Sequence, residues 1–141
     1  MATNAEPEFL VDTSVAVALC VADHEGRAAC RAVVDGHRIG LAGHAAWETF
    51  SVLTRLPTPA RRTPETVGRI LAANFPATRF LGQKAAVLLY ERLATLGISG
   101  GSIYDALVGA TAVTNGIPLV TRDRRALRTY STLDVDVIVA F

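Results

Sequence analysis

Short apolar runs alternate with helix-length segments along this chain, and that alternation limits the fold more than any other feature. Glu8-Phe9-Leu10-Val11 and Leu119-Val120-Thr121 read as buried strands, and residues 38–41 and 135–139 as two more. Residues 79–81 are either a further strand or a connection. Between them lie helical stretches at about 14–21, 25–34, 44–56, 64–74, 83–96, 102–115 and 124–129. Pro57 and Pro59 stop the third, Gly97 and Gly116 close the fifth and sixth, and Ser102 is the expected N-cap of the sixth. Strands separated by helices imply an α/β fold with a mostly parallel sheet covered on both faces.

A length of 141 residues suits one domain, here 8–141, after a loose tail at 1–7. Half of the residues are hydrophobic and only 6% aromatic, so Ala, Val, Leu and Ile must build the core. No apolar stretch approaches the roughly 20 residues that span a bilayer. The opening MATNAEPEFL lacks a basic segment followed by an apolar one, so a soluble cytoplasmic protein is expected. Cys20 and Cys30 lack metal-ligand spacing and a histidine pair, which argues against zinc and against a disulfide framework. His24, His37 and His44 are scattered and read as surface or local hydrogen-bonding residues.

Four carboxylates stand at the ends or first turns of these elements: Asp12, Glu48, Asp105 and Asp123. Each has an ordinary explanation. Asp12 and Asp123 follow strands and suit helix caps, though Ser14 could cap in place of Asp12. Glu48 could face solvent. Asp105 fits a capping box with Ser102, yet Gly109 and Ala112 on its face leave room for another element or a ligand. Independent caps have no reason to occupy matched positions along one sheet edge. In a parallel sheet those positions converge, and converging acids repel unless a divalent cation sits between them. The pattern points to a metal-dependent enzyme with Ser14 and Thr121 as nearby hydroxyls.

Net charge is +1, and 13 of the 14 basic residues are Arg, with Lys84 the only lysine. Arg122, Arg124, Arg125 and Arg128 surround Asp123 and suit phosphate contacts; Arg61 and Arg62 mark a second basic stretch.

In this order, FLVDTSV, AWETFSVLTRL and IYDALVGATAVTNGIPLVTRDRRAL resemble the PIN-domain family over about residues 8–140. Within it they resemble the VapC-type toxins of bacterial type II toxin–antitoxin modules. That resemblance implies a single PIN-like domain and a Mg²⁺- or Mn²⁺-dependent endoribonuclease. It places the acidic site on Asp12, Glu48, Asp105 and Asp123, with Ser14 and Thr121 in support. It also implies RNA as substrate, a small antitoxin as partner, and a homodimer. Many relatives carry a further acid where this chain has Arg125, which bears on a second metal. Two other readings stay open at this level. An aspartyl-phosphate phosphatase would use Asp12 but wants a second acid where Ser14 stands. A catalytically silent PIN-like module would keep the acids as caps and bind a partner.

Overall fold

The computed structural model describes residues 8–141; the tail expected at 1–7 lies outside the described residues. Four parallel strands, β1 (Glu8–Val11), β2 (Arg38–Leu41), β3 (Leu119–Thr121) and β4 (Val137–Val139), form one sheet in the order β2-β1-β3-β4. Between β1 and β2 run α1 (Thr13–Cys20) and α2 (Arg27–Val34). Then α3 (His44–Thr54), α4 (Pro64–Asn74), α5 (Gln83–Leu96) and α6 (Ser102–Asn115) precede β3. A 3-10 turn at Arg124–Ala126 and α7 (Leu127–Thr132) lead into β4.

The central pair is β1 and β3, in register Leu10↔Leu119 and Val11↔Val120. All four side chains are fully buried, as befits strands covered on both faces. Successive residues point to opposite faces, so the two pairs feed separate cores. Val11 and Val120 pack with Val15, Val34, Leu53 and Val67 under α1 to α4. Leu10 and Leu119 pack with Val108, Ala112 and Tyr130 under α6 and α7.

Gly40 is buried in β2 because the backbone of residues 77–79 crosses it. A Cβ on Gly40 would stand 2.1 Å from the Ala77 carbonyl carbon. Ala77 N–H donates to Ile39 and Arg79 N–H to Leu41, but the only ladder bridge there is Ala42↔Arg79. The segment is therefore a connection pressed against the sheet rather than a strand. The space beside Gly109 is filled as well. A Cβ there would come within 3.2 Å of the Tyr130 ring and 3.0 Å of Val135, so the small residue admits α7.

Of two expected caps, one is met and one is not. Asp12, not Ser14, caps α1, accepting from Val15 N–H at 3.3 Å. Gly101 precedes α6 with no side-chain cap bond, so Ser102 and Asp105 form no capping box. The last strand starts at Val137 rather than residue 135, because Val135 N–H is used by the Tyr130 carbonyl. Among the described residues, no helix is long and apolar enough to cross a membrane.

Candidate active site

Asp12 directly follows β1, and Asp123 comes two residues after β3, so the central pairing sets both at the carboxyl edge of the sheet. Glu48 projects from the second turn of α3, and Asp105 from the first turn of α6. These are the positions where parallel α/β folds gather their chemistry.

Asp12 is 4% exposed and anchored on every side. Its Oδ1 accepts from the Ser14 hydroxyl and Val15 N–H; its Oδ2 accepts from the Thr121 hydroxyl and, at 3.0 Å, from the Tyr130 hydroxyl. Four donors match the roughly four lone-pair sites of a carboxylate. Burial nonetheless raises its pKa above the ordinary carboxylate range, against the lowering by these donors. The Tyr130 hydroxyl is pushed up in turn, first by burial and then by the charge of Asp12. Ser14 and Thr121 are also linked to the next turn. Ser14 Oγ accepts from Arg122 N–H, and Thr121 Oγ1 from Asp123 N–H, each at 3.0 Å.

Asp105 is raised to about 6, first by partial burial, then by the negative charges of Asp123, Glu48 and Asp12. The four acids therefore share one electrostatic environment. Little positive charge offsets it. Arg125 reaches Asp123 at 3.6 Å on a side chain 94% exposed, where solvent weakens the pair. At the opposite end of β1 the contrast is plain: Glu8 is clamped by Arg38 at 3.0 Å and Arg79 at 2.9 Å. Glu48 Oε2 accepts from the Thr13 hydroxyl at 3.3 Å, and its Oε1 lies 3.1 Å from His44 Nε2. The His44 ring stacks on Tyr104 with centroids 4.9 Å apart and planes 19° from parallel.

Among the described residues, no three His, Cys, Asp or Glu side chains are arranged to hold one ion together. An all-oxygen set with an excess of negative charge still suits Mg²⁺ or Mn²⁺, which take one or two carboxylates directly and keep several waters. The chemistry of the donor set carries this fit: oxygens alone are offered, from four carboxylates on separate elements. Repulsion from the other three acids adds to burial in raising Asp105, a strain that a cation relieves.

The arginines divide. Arg125 and Arg128 are exposed, the latter lining a polar cleft of about 280 Å³ with Ser99, Ser102 and Thr132. Arg124 is exposed and lies over the Phe141 ring, 3.7 Å from its centroid. Arg122 turns inward. Its guanidinium covers Gly26, where a Cβ would stand 2.4 Å from Nε, and that Nε is buried without a hydrogen-bond partner. Of the three histidines, His24 accepts from Gly26 N–H, His37 stacks on Phe9, and His44 alone reaches the acids.

Four residues escaped the sequence reading: Tyr130, Thr13, His44 and Tyr104. The i,i+4 spacing of His44 and Glu48 could have shown one contact. Nothing local marks Tyr130, which meets Asp12 across 118 positions.

The PIN domain family matches residues 9–131. The chain belongs to the PIN-domain family. Its relatives include Ribonuclease VapC27 of Mycobacterium tuberculosis, 42% identical over 96% of this chain and 98% of the relative. Ribonuclease VapC40 of the same organism is 46% identical over 89% of this chain and 94% of the relative. This PIN domain is thus of the VapC type. Among solved structures, FitAB bound to the IR36 DNA fragment aligns with a TM-score of 0.69 at 16% identity, over 94% of each chain. VapBC2 from Rickettsia felis, bound to a promoter DNA fragment, aligns with 0.66 at 12% identity, over 94% of this chain and 98% of that one. At such identities the likeness is one of fold, and the PIN fold extends over nearly the whole chain.

Proposed function

We propose that this PIN domain is the toxin of a type II toxin–antitoxin module, an endoribonuclease that hydrolyses RNA phosphodiester bonds with Mg²⁺, or Mn²⁺ in its place. The observation that carries the reading is similarity to VapC ribonucleases over nearly the whole chain, in a protein whose four acids share one electrostatic environment.

Asp12 and Asp105 are the proposed direct ligands, Asp12 by exchanging one of its hydroxyl donors for the ion, with Glu48 and Asp123 acting through water. When bound there, the cation supplies Lewis acidity toward a phosphate oxygen and lowers the pKa of water. The chain's own groups do the rest. Ser14, Thr121 and Tyr130 fix the Asp12 carboxylate, so that it is oriented before the ion arrives. Thr13 and His44 hold Glu48 from both of its oxygens, leaving it placed to orient the attacking water. Water oxygen bonds to phosphorus as the bond to the 3′-oxygen breaks; that oxygen takes a proton, giving a 5′-phosphate and a 3′-hydroxyl. No histidine pair is near enough to activate a ribose 2′-hydroxyl, since His24 and His37 have local partners away from the acids. Arg124, Arg125 and Arg128 supply backbone contacts to RNA, which give affinity without sequence readout.

An apolar groove of about 530 Å³, lined by Leu41, Trp47, Phe50, Leu71, Phe75 and Phe80, begins one residue from Glu48. An antitoxin seated in it would pack on α3, the helix that carries Glu48. A homodimer remains part of this reading.

The test is cleavage of an RNA panel by purified protein with Mg²⁺, with EDTA, and with Asp12→Asn, followed by mapping of the ends. Metal-dependent 5′-phosphate ends support the mechanism. Cyclic phosphates, or equal cutting by Asp12→Asn, would overturn it.

A further inference from the structure

The acids account for bond breaking but not for how the strand is presented to them. The stacked pair of His44 and Tyr104 stands at that point. Tyr104 is the chain neighbour of Asp105, and His44 sits 3.1 Å from Glu48, so the pair is tied to two of the four acids at once. The His44 ring backs Tyr104 at 4.9 Å and nearly parallel, while Tyr104 remains 52% exposed. An aromatic ring held flat by a neighbour that is itself held by a carboxylate has lost little freedom to a core. It keeps a rigid face toward solvent beside the reaction centre. Unpaired bases stack on such rings whatever their identity, because every base has a π face. Bases within a duplex are already stacked and offer none.

We infer that Tyr104, backed by His44, is a stacking platform for an unpaired base next to the scissile phosphate. The inference rests on the RNA reading above and narrows it to single strands and loops. Tyr104 then determines which RNA enters, while the acids determine what happens to it.

The test uses the full-length protein and a single-stranded RNA 12-mer carrying 2-aminopurine, held uncleaved in Ca²⁺. Three further probes are its duplex, an abasic 12-mer, and total RNA with Mg²⁺ for cleavage. Wild type is expected to quench the 2-aminopurine and to bind the single strand about tenfold more tightly than Tyr104→Ala, the scale of one lost stacking contact. Tyr104→Trp restores both, and the abasic strand binds wild type and Tyr104→Ala equally. If alanine fails to fold, Tyr104→Leu keeps apolar cover over His44 without a π face and is expected to behave as alanine would. Unaltered quenching in Tyr104→Ala or Tyr104→Leu, or an equal loss on the abasic strand, would overturn the platform while Mg²⁺-dependent cutting of total RNA leaves the nuclease intact. Absence of cutting by wild type would overturn both.

Discussion

Asp12 shows how one side chain serves two purposes. It caps α1 through Val15 N–H and also stands buried among three hydroxyls, so its role as a helix cap and its place in the acidic site are not alternatives. Sequence reasoning treated them as competitors because a capping motif is local, whereas Thr121 and Tyr130 arrive from the far end of the chain. Tyr130→Phe removes one of four donors. It is expected to lower stability by about 1.5 kcal/mol in urea denaturation, the low end for bonds to charged groups. Cleavage should fall about tenfold, as for other groups that orient a ligand. Asp105→Asn is expected to lower kcat on the order of 100-fold or more, with the circular dichroism spectrum unchanged, since several kcal/mol of charge stabilisation is lost. Parental turnover in that variant would remove Asp105 from the site. The same substitution has a pH signature. The Asp105 carboxyl binds its proton more tightly folded, at about 6, than unfolded, at 3.8. The metal-free protein should therefore lose stability as pH rises from about 4 through about 6, relative to Asp105→Asn, and the gap should then level off. Thermal melts of both proteins in EDTA measure it; a gap of opposite sign would contradict the assigned burial and repulsion.

Elements were legible wherever the signal was local. Apolar runs gave β1 and β3, Pro57 and Pro59 ended α3, and Gly97 and Gly116 adopt the left-handed φ of 68° and 63° that closes α5 and α6. What could not be read was how elements approach one another. Gly109 suggested space beside Asp105, and only the packing of α7 shows that a tyrosine ring fills it. Gly40 carried no signal at all, yet it sets how closely the 77–79 connection crosses β2. Gly40→Ala drives a methyl group into backbone that cannot rotate away. It is expected to lower stability by about 3 kcal/mol, the upper range for overpacking, in a denaturant titration. A loss below about 0.5 kcal/mol would mean that the connection shifts freely.

On the scale of the molecule, charge is distributed by function rather than by amount. Net charge is +1, yet Glu8 is neutralised at one end of β1 while the acids at the other are left facing each other. In the nuclease proposal, the exposed arginines near Asp123 draw RNA toward that edge. Replacing Arg124 and Arg125 together by Ala is expected to weaken single-stranded RNA binding and reduce the slope of log K against log salt by about 1.4. An unchanged slope would send the RNA backbone elsewhere. Strand order was the part least available from periodicity. Alternation announces a parallel sheet but does not say that β1 lies between β2 and β3; only the strand pairing in the structure gives that order. The order matters beyond geometry. Because β1 is completed by a strand 109 positions further on at Leu10↔Leu119 and Val11↔Val120, a nascent polypeptide lacking its last quarter can assemble neither the centre of the sheet nor the pocket around Asp12. The acidic edge therefore takes shape only after β3 has been made and has docked on β1.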